Sequence, residues 1–225
     1  MSTLYISPSS GQLVVGDSLQ FTAYNGTLPY VWSTTDTSVA IIDTNGLLIA
    51  HHSGSVQVVV HDSLGASGIT DAIEIYDAQV TIPEVYGKQG GTVDVPIKLE
   101  KLANGVPIFS LQLQLLYDSS IIKYVSVVST ATLTEGWSYS QSNSGNHLTL
   151  AAASATSFQS TGTLLFVRFQ VGPNVSYGSH AYLNFQQMLF NEGTPSALTL
   201  DGGVIVTTPP SAPQLYSPPL VLPGQ

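Results

Sequence analysis

The histidine, serine and lysine residues of this sequence are the ones whose types could support acid–base or nucleophilic chemistry. His51 and His52 are adjacent in a predicted strand, so their side chains face opposite sides and cannot chelate one ion together. Ser120 and Lys123 match the Ser-x-x-Lys spacing of some acyl-transfer enzymes, which requires both side chains on one helical face. The surrounding "SSIIKYVSVV" is rich in β-branched residues and favours a strand instead. We therefore predict that the chain is not an enzyme and has no catalytic residues.

The acidic residues could act as paired carboxylates in glycoside hydrolysis or as metal ligands. Most of them lie at turn signals, which explains them without catalysis: Asp43, Asp118 and Asp201. A calcium loop starting at Asp43 would lack its later ligands. His147 and His180 begin predicted strands, and nothing in the sequence brings a carboxylate to either. We predict no cofactor and no metal site, with a surface calcium between turns as the open alternative.

The two tryptophans could stack against sugar rings. Trp32 belongs to a "WSTT" motif whose family resemblance, given below, makes packing the better explanation. Trp137 follows Glu135-Gly136 in a predicted loop and is the candidate for an exposed glycan contact. Polysaccharide binding through Trp137 and nearby tyrosines is one alternative function, and it rests mainly on the family resemblance of the second half of the chain given below.

Composition excludes several classes of partner. Only 8% of the 225 residues are charged, and the formal net charge is −9. Residues 1–77 contain seven acids and no Lys or Arg, while residues 78–208 contain the other seven acids and all five bases. Such a chain lacks the cationic surface that nucleic acid or anionic lipid requires. The apolar runs are strand-sized, so membrane insertion is not expected, and the neutral polar surface favours an extracellular or cell-surface location.

The residue pattern predicts an all-β protein. Short apolar runs such as "LQFTAY", "GLLIA" and "SVQVVVHD" are separated by Gly, Asn, Asp and Ser turn signals. Asn45-Gly46 between two apolar runs predicts a hairpin with a type I′ turn.

Residues 3–77 resemble a bacterial immunoglobulin-like domain of group 2 (BIG2). The resemblance is carried by the "WSTTDTSVA", "DTNGL" and "GSVQVVV" motifs in that order. It implies that residues 1–77 form a small extracellular sandwich that serves as a spacer or adhesive module, with no catalytic residues.

The chain from residue 78 resembles a cohesin domain. The resemblance is carried by "GTVDVP" from Gly91, "LLYD" from Leu115, "GTLLFVRFQV" from Gly162 and "DGGV" from Asp201. It implies a nine-stranded jelly-roll sandwich over residues 78–207, a scaffold module that docks dockerin-like partner proteins through a sheet face.

The stretch "FSLQLQLLYD" at residues 109–118 alternates apolar and polar side chains, which predicts a strand with one buried face. The resemblance to cohesins implies that its outward residues bind the partner: Ser110, Gln112, Gln114 and Leu116. Many cohesins have an acidic residue at the position of Gln112, and its replacement by a neutral amide argues against a standard dockerin.

Residues 208–225, "TPPSAPQLYSPPLVLPGQ", are Pro-rich and uncharged, as extended linkers are. The apolar residues of this tail suggest an alternative role as an added strand on a neighbouring subunit: Leu215, Leu220, Val221 and Leu222. The leading hypothesis is a non-catalytic extracellular scaffold that binds a protein partner. The alternative of a different class is a subunit that assembles with itself into a filament.

Overall fold

The structure is a computed structural model, and it describes residues 3–208. The buried apolar residues form two separate cores, one from Leu4 to Ile75 and one from Ala78 to Val206. We call the corresponding parts of the chain the N-terminal unit (residues 3–77) and the C-terminal unit (residues 78–208). Within the described residues, no helix is long and apolar enough to cross a membrane.

The N-terminal unit contains eleven short strands. Most of them alternate more buried with more exposed residues, because successive side chains of a strand point to opposite faces. The strands are β1 Tyr5–Ser7, β2 Gly11–Val14, β3 Ser18–Gln20, β4 Thr22–Tyr24, β5 Val31–Thr34, β6 Ala40–Ile42, β7 Leu47–Ala50, β8 Gly54–Val56, β9 Val58–His61, β10 Ser67–Ile69 and β11 Ile73–Tyr76. They pair in the orders β1-β4, β10-β9-β5, β2-β11-β8 and β3-β7-β6.

The hairpin at Asn45-Gly46 is present between β6 and β7, but its turn differs from the predicted type I′. Gly46 has φ +83°, whereas Asn45 is not among the residues with positive φ. The Asp43 side chain instead accepts hydrogen bonds from the Asn45 and Leu47 amides, both at 2.8 Å. These bonds hold the chain in a turn that needs only one left-handed residue, and they lower the pKa of Asp43.

The C-terminal unit contains longer strands. They are β12 Ala78–Thr81, β13 Glu84–Lys88, β14 Thr92–Leu102, β15 Ile108–Tyr117, β16 Ile122–Val128, β17 Ser138–Ser144, β18 His147–Phe158, β19 Gly162–Val171, β20 His180–Phe190, β21 Ala197–Leu200 and β22 Gly202–Thr207. A single 3₁₀ turn, Asn191–Gly193, follows β20.

Two sheets of five and six strands, in the orders β16-β19-β14-β12-β21 and β13-β22-β20-β15-β18-β17, form a sandwich around the second core. Two strands are broken where the chain passes directly from one sheet into the other, at Ile82-Pro83 between β12 and β13 and at Asp201 between β21 and β22. Counting each of these broken strands once gives nine strands. The predicted all-β architecture with a jelly-roll sandwich is therefore confirmed.

The two units meet around Asp77. The Asp77 amide donates to the Ser196 carbonyl, and its carboxylate accepts from the Ser196 amide at 2.9 Å. Lys101 of β14 contacts Asp17 of the N-terminal unit, with 2.6 Å between Nζ and Oδ1. β21 and β22 then run away from this junction, so the chain leaves β22 at the opposite end of the C-terminal unit.

Candidate functional site

The outer surface of four adjacent strands, β20, β15, β18 and β17, forms a continuous face of the six-stranded sheet. In β15 the inward residues Leu111, Leu113 and Leu115 are buried in the core. The predicted outward residues alternate with them and reach the surface: Ser110, Gln112, Gln114 and Leu116. The apolar repeat buries one side of β15 and leaves the other side available to solvent.

Cross-strand pairing places alanine and short polar side chains of β18 and β17 beside the glutamine side chains of β15. Gln112 lies next to Ala151 of β18, which lies next to Ser140 of β17. The rows on either side are Gln114-Thr149-Ser142 and Ser110-Ala153-Ser138. We call the outward residues of these three rows the polar face. Gln114 is linked across the sheet to β20, where its Nε2 donates to Oε1 of Gln187 at 3.0 Å.

A shallow groove of about 380 Å³ runs along the polar face. Its centre is formed by Ala151 and Ala153, and longer or hydroxyl-bearing side chains flank it on both sides: Ser110, Gln112, Ser138, Ser140 and Leu189. The groove exists because alanine has no side-chain atoms beyond Cβ. We call it the central groove.

The floor of the central groove is held by a buried hydroxyl pair. Tyr139 lines the groove, and its phenol hydrogen-bonds the hydroxyl of buried Thr134, which also hydrogen-bonds the Leu164 carbonyl. Burial raises the pKa of Tyr139, although its hydrogen bond with Thr134 acts in the opposite sense. The phenol is therefore a neutral, fixed part of the sandwich.

Charge is unevenly distributed over the strands of the C-terminal unit. Strands β15, β17, β18 and β20 contain no Asp, Glu, Lys or Arg. The five-stranded sheet carries a bidentate ion pair, in which Arg168 contacts Asp94 at 2.6 and 2.7 Å. Hydrogen bonding and the charge of Arg168 hold the pKa of Asp94 below its ordinary value. Among residues 3–208, the central groove has one charged lining residue, Glu192, at its end.

A bulge at the start of β15 is a feature that the sequence pattern did not predict. Simple alternation would place Phe109 inward with Leu111. The register shifts between Ile108 and Ser110, so Ile108 is buried while Phe109 is 43% exposed. The shift puts the Phe109 ring at the surface, where the start of β15 adjoins the turn that carries Glu192.

Asn191 holds this bulge in place. Its Oδ1 accepts from the Phe109 and Ser110 amides at 2.8 and 3.2 Å, and its Nδ2 donates to the Pro107 carbonyl at 2.8 Å. Asn191 also has φ +43°, a conformation that asparagine tolerates better than most residues. The Asn191 side chain thus makes the hydrogen bonds that a neighbouring strand would make where the pairing of β15 is interrupted.

Replacing Asn191 by alanine should lower the free energy of unfolding by about 2–3 kcal/mol, because three hydrogen bonds are lost and alanine is strained at positive φ. Urea denaturation of the C-terminal unit measures this. The matched control is Asn104→Ala, at an exposed loop position, which should change stability by less than about 0.5 kcal/mol. Equal effects of the two substitutions would show that Asn191 does not hold the bulge.

Trp137 requires a correction. It was predicted as an exposed glycan contact, but it is only 9% exposed and packs against Phe158, with 5.5 Å between ring centroids. The Gly136 turn directs the chain back onto the sandwich, so the indole enters the core instead of solvent. Residues 215–222, including the predicted tail strand, lie outside the described residues.

The other candidate residues take up structural positions. His51 and His52 are exposed in the loop between β7 and β8, and the Asp118 side chain accepts from the Ser120 amide. The structure does bring a carboxylate to His180, whose Nε2 lies 2.9 Å from Glu84 Oε1 but out of line for a hydrogen bond. Residues 3–208 contain no group of His, Asp and Glu arranged to hold a metal ion.

The family model for the cohesin domain matches residues 78–206. No curated protein gives a significant match. Among solved structures, the chain is similar to the sixth cohesin of scaffoldin B from Acetivibrio cellulolyticus, in complex with a Cel5 dockerin mutant. The two are 20% identical, the alignment covers 57% of this chain and 98% of that chain, and the TM-score is 0.51.

Two further structures give similar values. The Coh-OlpC-Doc435 cohesin–dockerin complex from Clostridium thermocellum is 19% identical over 59% of this chain and 95% of that chain, with a TM-score of 0.51. CaCohA2 from Clostridium acetobutylicum is 16% identical over 61% of this chain and 94% of that chain, also with a TM-score of 0.51. These similarities show the fold. Because the family model matches more than half of the residues, the chain belongs to the cohesin family, whose domains are non-catalytic, protein-binding scaffold modules.

Proposed function

We propose that this chain is an extracellular or cell-surface scaffold protein whose polar face docks a dockerin-like partner. The proposed organisation is a BIG2 immunoglobulin-like spacer domain at residues 1–77, a cohesin domain at 78–207 and a linker or tail at 208–225. The observation that carries the proposal is the central groove, which is built from small residues and bordered by uncharged hydrogen-bonding side chains. Cohesin–dockerin complexes among the similar structures support the class of partner.

The central groove suits a helix of the partner. Alanines at positions 151 and 153 allow a helix to approach the sheet closely, since nothing projects beyond their Cβ atoms. Gln112 and Ser140 can both donate and accept hydrogen bonds, so they can meet polar side chains or the uncapped end of that helix. Such a contact combines shape complementarity in the groove with specific polar bonds at its border.

The absence of charge on the four strands determines which partners fit. A partner that presents Lys or Arg toward Gln112 would bury that cation without a carboxylate opposite it, which is unfavourable. Of the described residues that line the central groove, only Glu192, at its end, offers an anionic contact. We therefore propose a partner helix with uncharged residues over Ala151 and a basic residue or hydroxyl near Glu192.

Replacing both Gln112 and Gln114 by alanine should weaken partner binding by about tenfold. The partner's polar groups would lose their hydrogen bonds, and Gln114 would lose its link to Gln187. Isothermal titration calorimetry of the full chain with dockerin domains encoded in the same genome measures the effect.

The matched control is Gln159→Ala, an exposed glutamine in the loop between β18 and β19. It should leave the affinity within about twofold of the unmodified chain. If the double variant at Gln112 and Gln114 also bound with unchanged affinity, the polar face would not be the docking surface.

Binding through the polar face should depend weakly on salt. Surface charges are screened within about 8–10 Å at moderate ionic strength, but neutral amide and hydroxyl contacts are not. We expect the dissociation constant to change by less than about threefold when NaCl is raised from about 0.05 M to about 0.5 M. A change of about a hundredfold would show that ion pairs dominate the interface.

A further inference from the structure

A second groove lies on the N-terminal unit, on the surface between β3, β5 and the β6–β7 turn. It has a volume of about 650 Å³. Aromatic and apolar side chains line one part of it and polar side chains the other: Leu28, Pro29, Tyr30, Trp32, Thr44 and Asn45. We call it the aromatic groove. Neither the resemblance to BIG2 domains nor the cohesin match, which begins at residue 78, assigns it a role.

Two rings form the wall of the aromatic groove. Tyr30 and Trp32 meet edge to face, with 6.5 Å between centroids and 71° between planes. Each ring packs partly on the first core and partly faces the groove. A Cβ at Gly46 would come within 2.5 Å of the Phe21 carbonyl oxygen and 3.2 Å of the Trp32 ring, so a glycine is needed where the turn passes beside the indole. Within residues 3–208 neither the indole N–H of Trp32 nor the Tyr30 hydroxyl has a hydrogen-bond partner. Neither group is fully buried, so both are accessible to a ligand.

The polar side of the aromatic groove is ordered and uncharged. Gln20 Nε2 donates to the carbonyls of Phe21 and Asn45 at 2.9 and 2.8 Å, which holds its amide in place. The exposed Thr44 and Asn45 side chains lie beside it. No Asp, Glu, Lys or Arg is among the described lining residues. The site therefore combines a pair of rings with fixed, neutral hydrogen-bonding groups.

This combination matches the way in which polyproline segments are recognised. A polyproline II helix is pre-ordered, presents proline rings to aromatic slots and leaves its carbonyls free to accept hydrogen bonds. Indole N–H, phenol and amide groups are suitable donors to those carbonyls. The neutral lining fits an uncharged segment.

We propose that the aromatic groove binds the Pro-rich tail of a second copy of this chain. Residues 209–225 contain six prolines and no charged residue, and Pro210-Ser211-Ala212-Pro213 has the Pro-x-x-Pro spacing that such grooves accept. This proposal does not depend on the docking function of the polar face.

The path of the chain indicates a second copy as the source of the tail. From Ala197 beside the junction to Thr207, β21 and β22 carry the chain away from the N-terminal unit over a path of at most about 33 Å. Pro213 follows Thr208 by five residues, which span at most about 18 Å when fully extended. The tail therefore starts at the end of the C-terminal unit that lies away from the junction, which favours a head-to-tail contact between copies over a contact within one molecule.

A synthetic peptide of residues 207–225 tests the recognition step on a chain ending at Thr208. Trp137 is buried in the other unit, so a change in tryptophan emission reports Trp32. We expect saturable binding that weakens at least about tenfold with Thr44→Arg, an exposed substitution that blocks the groove without entering the core. A peptide with Pro210→Ala and Pro213→Ala should bind at least about tenfold more weakly. Equal binding of the two peptides, or a response to cellohexaose and none to the tail peptide, would overturn the proposal.

Light scattering of the full chain tests the source of the tail. The mass should rise with concentration, while the chain ending at Thr208 and the full-length Thr44→Arg variant should stay monomeric over the same range. Peptide binding combined with a monomeric full chain would contradict contact between copies. If the full chain associated with itself but bound no dockerin domain, the proposed docking function would be refuted and this proposal would stand.

Discussion

An Ala151→Arg variant should bind its docking partner at least about a hundredfold more weakly than the unmodified chain. Ala151 lies at the centre of the polar face, between Gln112 and Ser140, and its small size creates the central groove. An arginine there fills the groove and presents a cation where no carboxylate lies opposite. The half-exposed position lets the guanidinium extend into solvent, so the fold should be retained. Calorimetric titration with the dockerin partner measures the loss, which corresponds to about 3 kcal/mol.

The control for this substitution is Ala66→Arg, an exposed alanine in a turn of the N-terminal unit. It adds the same charge and bulk away from the polar face and should leave the affinity within about twofold. Ser140→Arg provides an independent test, because Ser140 is exposed on the edge strand β17 and borders the same groove. Unchanged binding by both Ala151→Arg and Ser140→Arg would exclude the central groove from the interface.

A Trp137→Ala variant should lose about 3–5 kcal/mol of folding free energy in the C-terminal unit. The indole is buried, packs against Phe158 and belongs to the second core, so its removal leaves a large cavity. Urea denaturation followed by far-UV circular dichroism gives the stability of the unit. This result would distinguish a core residue from the exposed glycan contact that the sequence alone indicated.

The control for Trp137 is Tyr177→Ala, an aromatic residue of the same unit that is 54% exposed. It should cost less than about 1 kcal/mol, because most of its ring is already in water. A loss of less than about 1 kcal/mol for Trp137→Ala as well would mean that the indole does not support the core.

The sequence predicts β15 well because strand periodicity is a local property. Leu111, Leu113 and Leu115 must share one side of any strand that contains them, so Gln112 and Gln114 must share the other. The motifs from Gly91, Leu115 and Gly162 also appear within long strands of the sandwich. Turn assignments for Asp43 and Asp118 follow from the same local chemistry, in which a short carboxylate binds nearby amides.

Features that depend on distant residues were not predictable from local patterns. The central groove requires Ala151 to lie between β15 and β17, a pairing that only the sheet order determines. Phe109 is exposed because Asn191, from the turn after β20, stabilises a bulge in β15. The burial of Trp137 likewise depends on Phe158, which lies at the far end of β18. Glu192 lines the central groove because it belongs to the same turn after β20.

Chemical-shift mapping by NMR, with isotopically labelled full chain and unlabelled dockerin partner, tests the docking proposal most directly. The account predicts that the largest amide shifts cluster on the polar face, at Ser110, Gln112, Ser140 and Ala151, and extend to Glu192. Residues of the five-stranded sheet such as Asp94 and Arg168 should change little. Shifts concentrated on the five-stranded sheet or on the N-terminal unit, with the polar face unaffected, would contradict it.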